Sequence, residues 1–221
     1  MKLKLTINSI IEQLFPRHCI ICNALNHELC PSCRLRLITA PQFCPLCSKK
    51  TPLGFICSLC RTKKELPYFD AICVYGNSEQ KLLSRCLNAL RNNGQKNIGY
   101  ILAKIMCQKI MKNWPETYDY PKLIIPWPLS NLEERQRGYN QNLYLAQGFN
   151  NHNDFIISKR SLMFKTRKNR TFRWSAEKIK QNNVIIISDY LPDEKLINLA
   201  AQTIKMAGAK KVVFIALSYK L

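Results

Sequence analysis

Four Cys-x-x-Cys pairs, Cys19/Cys22, Cys30/Cys33, Cys44/Cys47 and Cys57/Cys60, are crowded between residues 19 and 60. Two thiolates three positions apart can face one ion from a tight turn. Two such pairs complete the tetrahedron that Zn²⁺ accepts without a geometric preference of its own. The spacing predicts two structural Cys₄ zinc sites. Sequential use (19/22/30/33, then 44/47/57/60) suits the short intervening loops, and interleaved use is the alternative. Both sites would be closed by four ligands, leaving no position for a catalytic water. Pro31 and Pro45, inside their pairs, suit turns rather than helices. His18 and His27 neighbour the ligands but are not needed where eight cysteines are available. So short a module has little core, and the metal would supply much of its folding energy.

The remaining cysteines, Cys73, Cys86 and Cys107, fall in strand- or helix-like stretches and read as core residues. Eleven cysteines without a secretion signal point to a reducing, cytoplasmic compartment. The first fifteen residues read as an amphipathic helix with Ile7, Ile10, Ile11 and Leu14 on one face. No stretch reaches the roughly 20 apolar residues of a membrane helix, so no membrane span is expected.

Lys and Arg number 34 against 14 Asp and Glu, a formal charge of +20. Eight thiolates on two zinc ions would lower that only to about +16. Such an excess favours a polyanionic partner, nucleic acid first, over a charge that merely solubilises.

The sequence divides at a charged linker, residues 61–67, into an N-terminal helix with the double zinc module (1–67) and a second domain (68–221). In the second, strand candidates at 71–75, 123–127, 155–157, 184–187 and 212–217 alternate with helical spacing. Helices are expected over 78–112, interrupted near Asn92–Gly94, and over 131–149. Another follows 187, with Pro192 in its first turn, Gly208 as its cap, and Leu196, Leu199, Ala200, Thr203, Ile204 and Ala207 inward. This is an α/β class with a mostly parallel sheet. A strand ending at Pro128 would deliver Arg135, Arg137, Asn140 and Gln141 to the carboxyl edge of that sheet, where open α/β sheets bind ligands. Arginines with an Asn-Gln pair suit phosphate oxygens. A solvated helix face partly neutralised by Glu133 and Glu134 is the alternative.

Several blocks stand in the order found in one family: Leu14-Phe15-Pro16-Arg17-His18-Cys19, Ala89-Leu90-Arg91-Asn92-Asn93-Gly94, Pro126-Trp127-Pro128-Leu129 followed by Arg135-Gln136-Arg137-Gly138-Tyr139-Asn140-Gln141, and a terminal strand–helix–strand with Ala207-Gly208-Ala209. Over nearly its whole length the chain resembles the ComF family, the competence-associated, phosphoribosyltransferase-like proteins that include ComFC and GntX. The resemblance implies a phosphoribosyltransferase-like fold and a site for phosphoribosyl pyrophosphate at Arg91, Arg135, Arg137, Asn140, Gln141, Ser188 and Asp189, with Mg²⁺ only if that ligand is still bound. It also implies a cytoplasmic accessory of natural transformation that handles incoming single-stranded DNA, with a ComFA-type helicase as neighbour.

The family's loop of two acids followed by Thr-Thr-Gly is degenerate here. The matching stretch is Ser188-Asp189-Tyr190-Leu191-Pro192-Asp193-Glu194. Pro192 lacks a backbone donor, and Asp193 and Glu194 stand where a phosphate should sit. At ~4 Å and an effective dielectric of ~20, each like-charge contact would cost on the order of several kcal/mol. Residues 159–180 depart further. Lys159, Arg160, Lys165, Arg167, Lys168, Arg170, Phe172, Arg173 and Trp174 interleave cations and rings, as single-stranded DNA binding requires. The alternative there is a disordered loop whose aromatics dock on the core. An active, Mg²⁺-dependent phosphoribosyltransferase with an unidentified acceptor is the competing function, though no residue stands out as a nucleophile or general base.

Overall fold

The computed structural model describes residues 16–37, 43–44, 47–51, 57–62, 68–77, 80–112, 114, 119, 121–150, 156–158, 162–166, 171–174, 179 and 181–219. The expected N-terminal helix and most of the linker lie outside these residues. In the cysteine-rich region, two short helices, α1 (Pro31–Leu35) and α2 (Ser58–Arg61), start right after Cys30 and Cys57 and carry Cys33 and Cys60. Pro31 therefore opens a helical turn instead of excluding one. At the first helical position its missing N–H costs nothing and its fixed φ is helical already.

The second region contains β1 (Ala71–Asn77), α3 (Lys81–Arg91), α4 (Lys96–Lys112), β2 (Leu123–Pro126), α5 (Asn131–Arg137), α6 (Gln141–Phe149), β3 (Ile156–Ile157), β4 (Leu162–Thr166), β5 (Thr171–Trp174), β6 (Asn183–Ser188), α7 (Glu194–Met206) and β7 (Lys211–Tyr219). Five strands form one sheet in the order β1-β7-β6-β2-β3. Every pairing in it is parallel. The expected α/β class with a parallel sheet and an N-terminal cysteine-rich module is what the chain forms. No helix among the described residues is long and apolar enough to cross a membrane.

Parallel strands covered on both faces must be apolar at every position. Ile185, Ile187, Val213, Ile215 and Ile124 enter one core, under α3, α4 and α6. Val184, Ile186, Val212, Phe214 and Ile125 enter the other, under α7. The first core is not confined to the α/β region: Cys19, Leu29, Cys30, Cys33 and Leu37 of the first cysteine knuckle belong to it.

Three expectations are revised. Residues 131–149 form two helices, because Gly138 adopts φ 73° and closes α5 in the left-handed conformation that other residues resist. Pro192 precedes the cap of α7 rather than opening its first turn, and Leu199 is 38% exposed instead of inward. Within 159–180, β4 and β5 pair antiparallel where a loop was the alternative. Leu162 and Phe172 anchor that hairpin in the second core.

Candidate functional site

The first knuckle gathers Cys19, Cys22, Cys30 and Cys33, and the second gathers Cys44, Cys47, Cys57 and Cys60. Pairing is sequential, as the short loops favour. In each group the four sulfurs lie within 4.8 Å of one another. Zinc–sulfur bonds of about 2.3 Å set tetrahedral sulfur–sulfur edges near 3.8 Å. Cys22 and Cys30 are 3.5 Å apart, and Cys47 and Cys57 are 3.6 Å apart. The donor sets fit two structural zinc ions.

The knuckles repeat one another. In the first, Cys19 N donates to Ala24 O, Asn23 N donates to Cys19 O, and Asn23 has φ 65°. Twenty-five positions later, Cys44 N donates to Lys49 O, Ser48 N donates to Cys44 O, and Ser48 has φ 58°. His18 bridges to Leu25, and Phe43 to Lys50. Cys30 N reaches Cys19 Sγ at 3.4 Å, and Cys57 N reaches Cys44 Sγ at 3.4 Å. The signal available in the sequence was the common offset that carries Cys19/Cys22, the leading pair of the first knuckle, onto Cys44/Cys47, the leading pair of the second. His18 Nδ1 lies 3.4 Å from Asn23 O, and neither it nor His27 joins a ligand group.

Thiol electrostatics favour a cation. Burial and then the surrounding cysteines push Cys33 up to about 12. The same causes push Cys60 up to about 12. Burial raises Cys19 too, but backbone N–H groups of Cys22, Cys30 and Ile21 outweigh it and draw the thiol down to about 6. Four crowded sulfurs resist full ionisation until a cation offsets their mutual repulsion. Cys86 and Cys107 are buried, as expected of core residues, and Cys73's side chain lies outside the described residues.

At the carboxyl edge of the sheet, β2 and β6 deliver a polar cluster. Asn140 caps α6 through its Oδ1, which accepts from Asn142 N at 2.9 Å. Asn140 Nδ2 and Asn142 Nδ2 both donate to Trp127 O, at 3.1 and 3.0 Å. Asn142 Oδ1 accepts from Asp189 N at 2.9 Å, and Ser218 Oγ donates to Asp189 O at 2.7 Å. Arg91, at the end of α3, pairs through Nε with the fully buried Asp189 carboxylate. Its guanidinium also lies 5.8 Å from the Tyr190 ring centroid. Tyr139 OH donates to Leu90 O, tying α3 to the α5–α6 corner.

Among the described residues, four buried polar atoms in this region have no hydrogen-bond partner: Asp189 Oδ1, Arg91 Nη2, Gln141 Oε1 and Ser188 Oγ. Unmade hydrogen bonds of this kind are costly, so their concentration is unusual for a purely structural corner. Arg135 is exposed, and Arg137 faces Glu133 at 3.7 Å along its own helix. Asn142 escaped the sequence reading. Its spacing from Leu145, Ala146 and Phe149 marks it as a polar residue on an inward helix face.

Asp193 caps α7, its Oδ1 accepting from Leu196 N at 2.9 Å, and Glu194 follows in the first turn. Among the basic–aromatic residues, Phe172 is buried and edge-on to Trp127 at 5.2 Å, so its ring is not presented to solvent. Arg173 is exposed. Lys159, Arg160, Arg167, Lys168 and Arg170 lie outside the described residues, as do the side chains of Lys165 and Trp174.

Residues 10–62 match the double zinc ribbon domain family, covering both knuckles. Competence protein ComFC of Bacillus subtilis (strain 168) is 24% identical over 198 residues, which is 83% of this chain and 80% of that protein. The likeness to the ComF family is supported. It extends over most of the chain.

Proposed function

We propose that this ComF-like chain is a competence-associated protein that handles single-stranded DNA in the cytoplasm, beside a ComFA-type helicase, without phosphoribosyl transfer. The observation that supports it most directly is the Asp193 cap. In the first turn of α7 the Leu196 N–H is taken by the chain's own Asp193 carboxylate, with Glu194 beside it, so an incoming phosphate would meet negative charge. The +20 charge and the likeness to ComFC support the DNA half of the reading. Thiols kept as zinc ligands suit a reducing compartment.

Fluorescence anisotropy with a labelled single-stranded oligonucleotide across a salt series tests it. Binding at low salt that weakens steeply as salt rises is expected, and no binding at low salt refutes it.

A second reading is favoured by the unpartnered atoms of Asp189, Arg91, Gln141 and Ser188, whose acceptors and donors would suit the hydroxyls and phosphates of phosphoribosyl pyrophosphate with Mg²⁺. Calorimetry separates the two readings. Micromolar binding of that ligand with Mg²⁺ would establish the second, and heats no larger than dilution leave the first. Placing Thr-Thr-Gly at positions 192–194 should then create affinity.

A further inference from the structure

Where the first zinc knuckle meets α4 there is an open cleft of about 520 Å³. That volume falls within the ~300–1,000 Å³ of ligand clefts. Its walls carry three cations, Arg17 and Arg34 from the knuckle and Lys104 from α4, against a single carboxylate, Glu28. Glu28 is turned towards α4, where its Oε1 accepts from Asn97 Nδ2 at 2.8 Å, and its other oxygen is buried. The excess of positive charge is not local accident. Residues 81–112 contain seven cations and no acid, and residues 16–37 contain Glu28 alone.

We propose that this cleft binds the phosphodiester backbone of single-stranded DNA, an inference that rests on the DNA-handling reading above and gives it a location. Three features fit that occupant. Arg34 is held on the wall by its own Nε, which donates to Leu29 O at 2.8 Å, so its charge is positioned before a ligand arrives. Tyr100 offers an aromatic wall for a base beside the phosphates. Its hydroxyl donates to Gln147 Oε1 at 2.7 Å, and its ring meets Tyr144 edge-on at 5.7 Å. The wall is also rigid. A Cβ on Gly148 would lie 2.6 Å from Tyr100 Cα, so α6 and α4 touch backbone to backbone there. The competing explanation is that these cations only balance the net negative charge of four thiolates on one zinc.

The test measures oligonucleotide anisotropy, zinc content and melting temperature on the full chain and its variants. Arg17→Glu with Lys104→Glu should weaken binding at low salt by roughly tenfold or more and flatten the log–log salt slope by about 1.4, near 0.7 for each lost phosphate contact. Lys104→Glu alone, on an exposed helix surface, should flatten the slope by about 0.7 with zinc retained. Lys122→Glu, an equal charge change at the start of β2 outside the cleft, is the reference. Cleft variants that bind DNA no worse than Lys122→Glu overturn the cleft while leaving the DNA reading intact. Zinc loss in the double variant, with Lys104→Glu matching the reference, assigns the cations to thiolate balance and overturns it equally. A wild-type chain that binds no DNA overturns both.

Discussion

The two zinc knuckles share one backbone pattern and differ in what lies behind them. The first is continuous with the main hydrophobic core: Leu29 is fully buried, and Cys19, Cys30 and Cys33 pack with Leu83, Cys86 and Leu87 of α3. Arg85 on the same helix donates to Ile21 O at 3.2 Å. Among the described residues the second knuckle's buried cluster is Cys44, Cys57 and Cys60 alone, with Leu59 67% exposed and Phe43 45% exposed. Identical ligand chemistry therefore serves two roles. The first site is part of the α/β domain's foundation, and the second, among the described residues, holds together little beyond its own loop.

The largest expected contrast comes from single ligand losses. Cys33→Ser should release one zinc and lower the melting temperature of the whole α/β domain by about ten degrees or more, on the order of 3–5 kcal/mol for a chain of this size. Cys60→Ser should also release one zinc, yet leave the main transition within about 2 °C. Metal analysis with calorimetry on both variants checks this, and equal shifts would erase the distinction. Next in size, Leu29→Ala should cost about 2–5 kcal/mol by emptying a fully buried position. Leu59→Ala should stay within about 0.5 kcal/mol, and denaturant titration of the pair measures the difference. Smallest is Arg85→Ala, which removes one exposed bond to the first knuckle. It should cost about 1 kcal/mol or less and raise hydrogen exchange at Cys22–Leu25 without touching the second knuckle.

The sequence was most readable where one residue type has one use. Paired cysteines at short spacing have few alternatives to metal, and the β-branched run Val184–Ile187 has few alternatives to a central parallel strand. Helix breaks were less readable: Gly138 ends α5, a polar helix that buries no residue, and the apolar face begins only with α6. The β4–β5 hairpin was hidden because its charge drew attention to solvent while Leu162 and Phe172 turned inward. At the sheet edge, Arg135, Arg137, Asn140 and Gln141 were visible as a motif. The pairing of Arg91 with Asp189, ninety-eight positions apart, is a product of topology that local pattern cannot encode. Asp193 was legible as a helix-start residue, and its cap on Leu196 N follows from that chemistry.

Strand order also sets a timetable for synthesis. β1 borders only β7, Ala71 pairing with Val213, so its place in the sheet stays open until the ribosome has made both ends of that ladder. The knuckles, closed by contacts a few residues apart, can take up metal long before then. Until α3 and α4 have been made, the newly metallated first knuckle displays Leu29 and Leu37 to water, and the core behind those helices stays incomplete until β7 arrives. That makes the nascent chain, more than the finished protein, the form in which this surface invites aggregation or a chaperone.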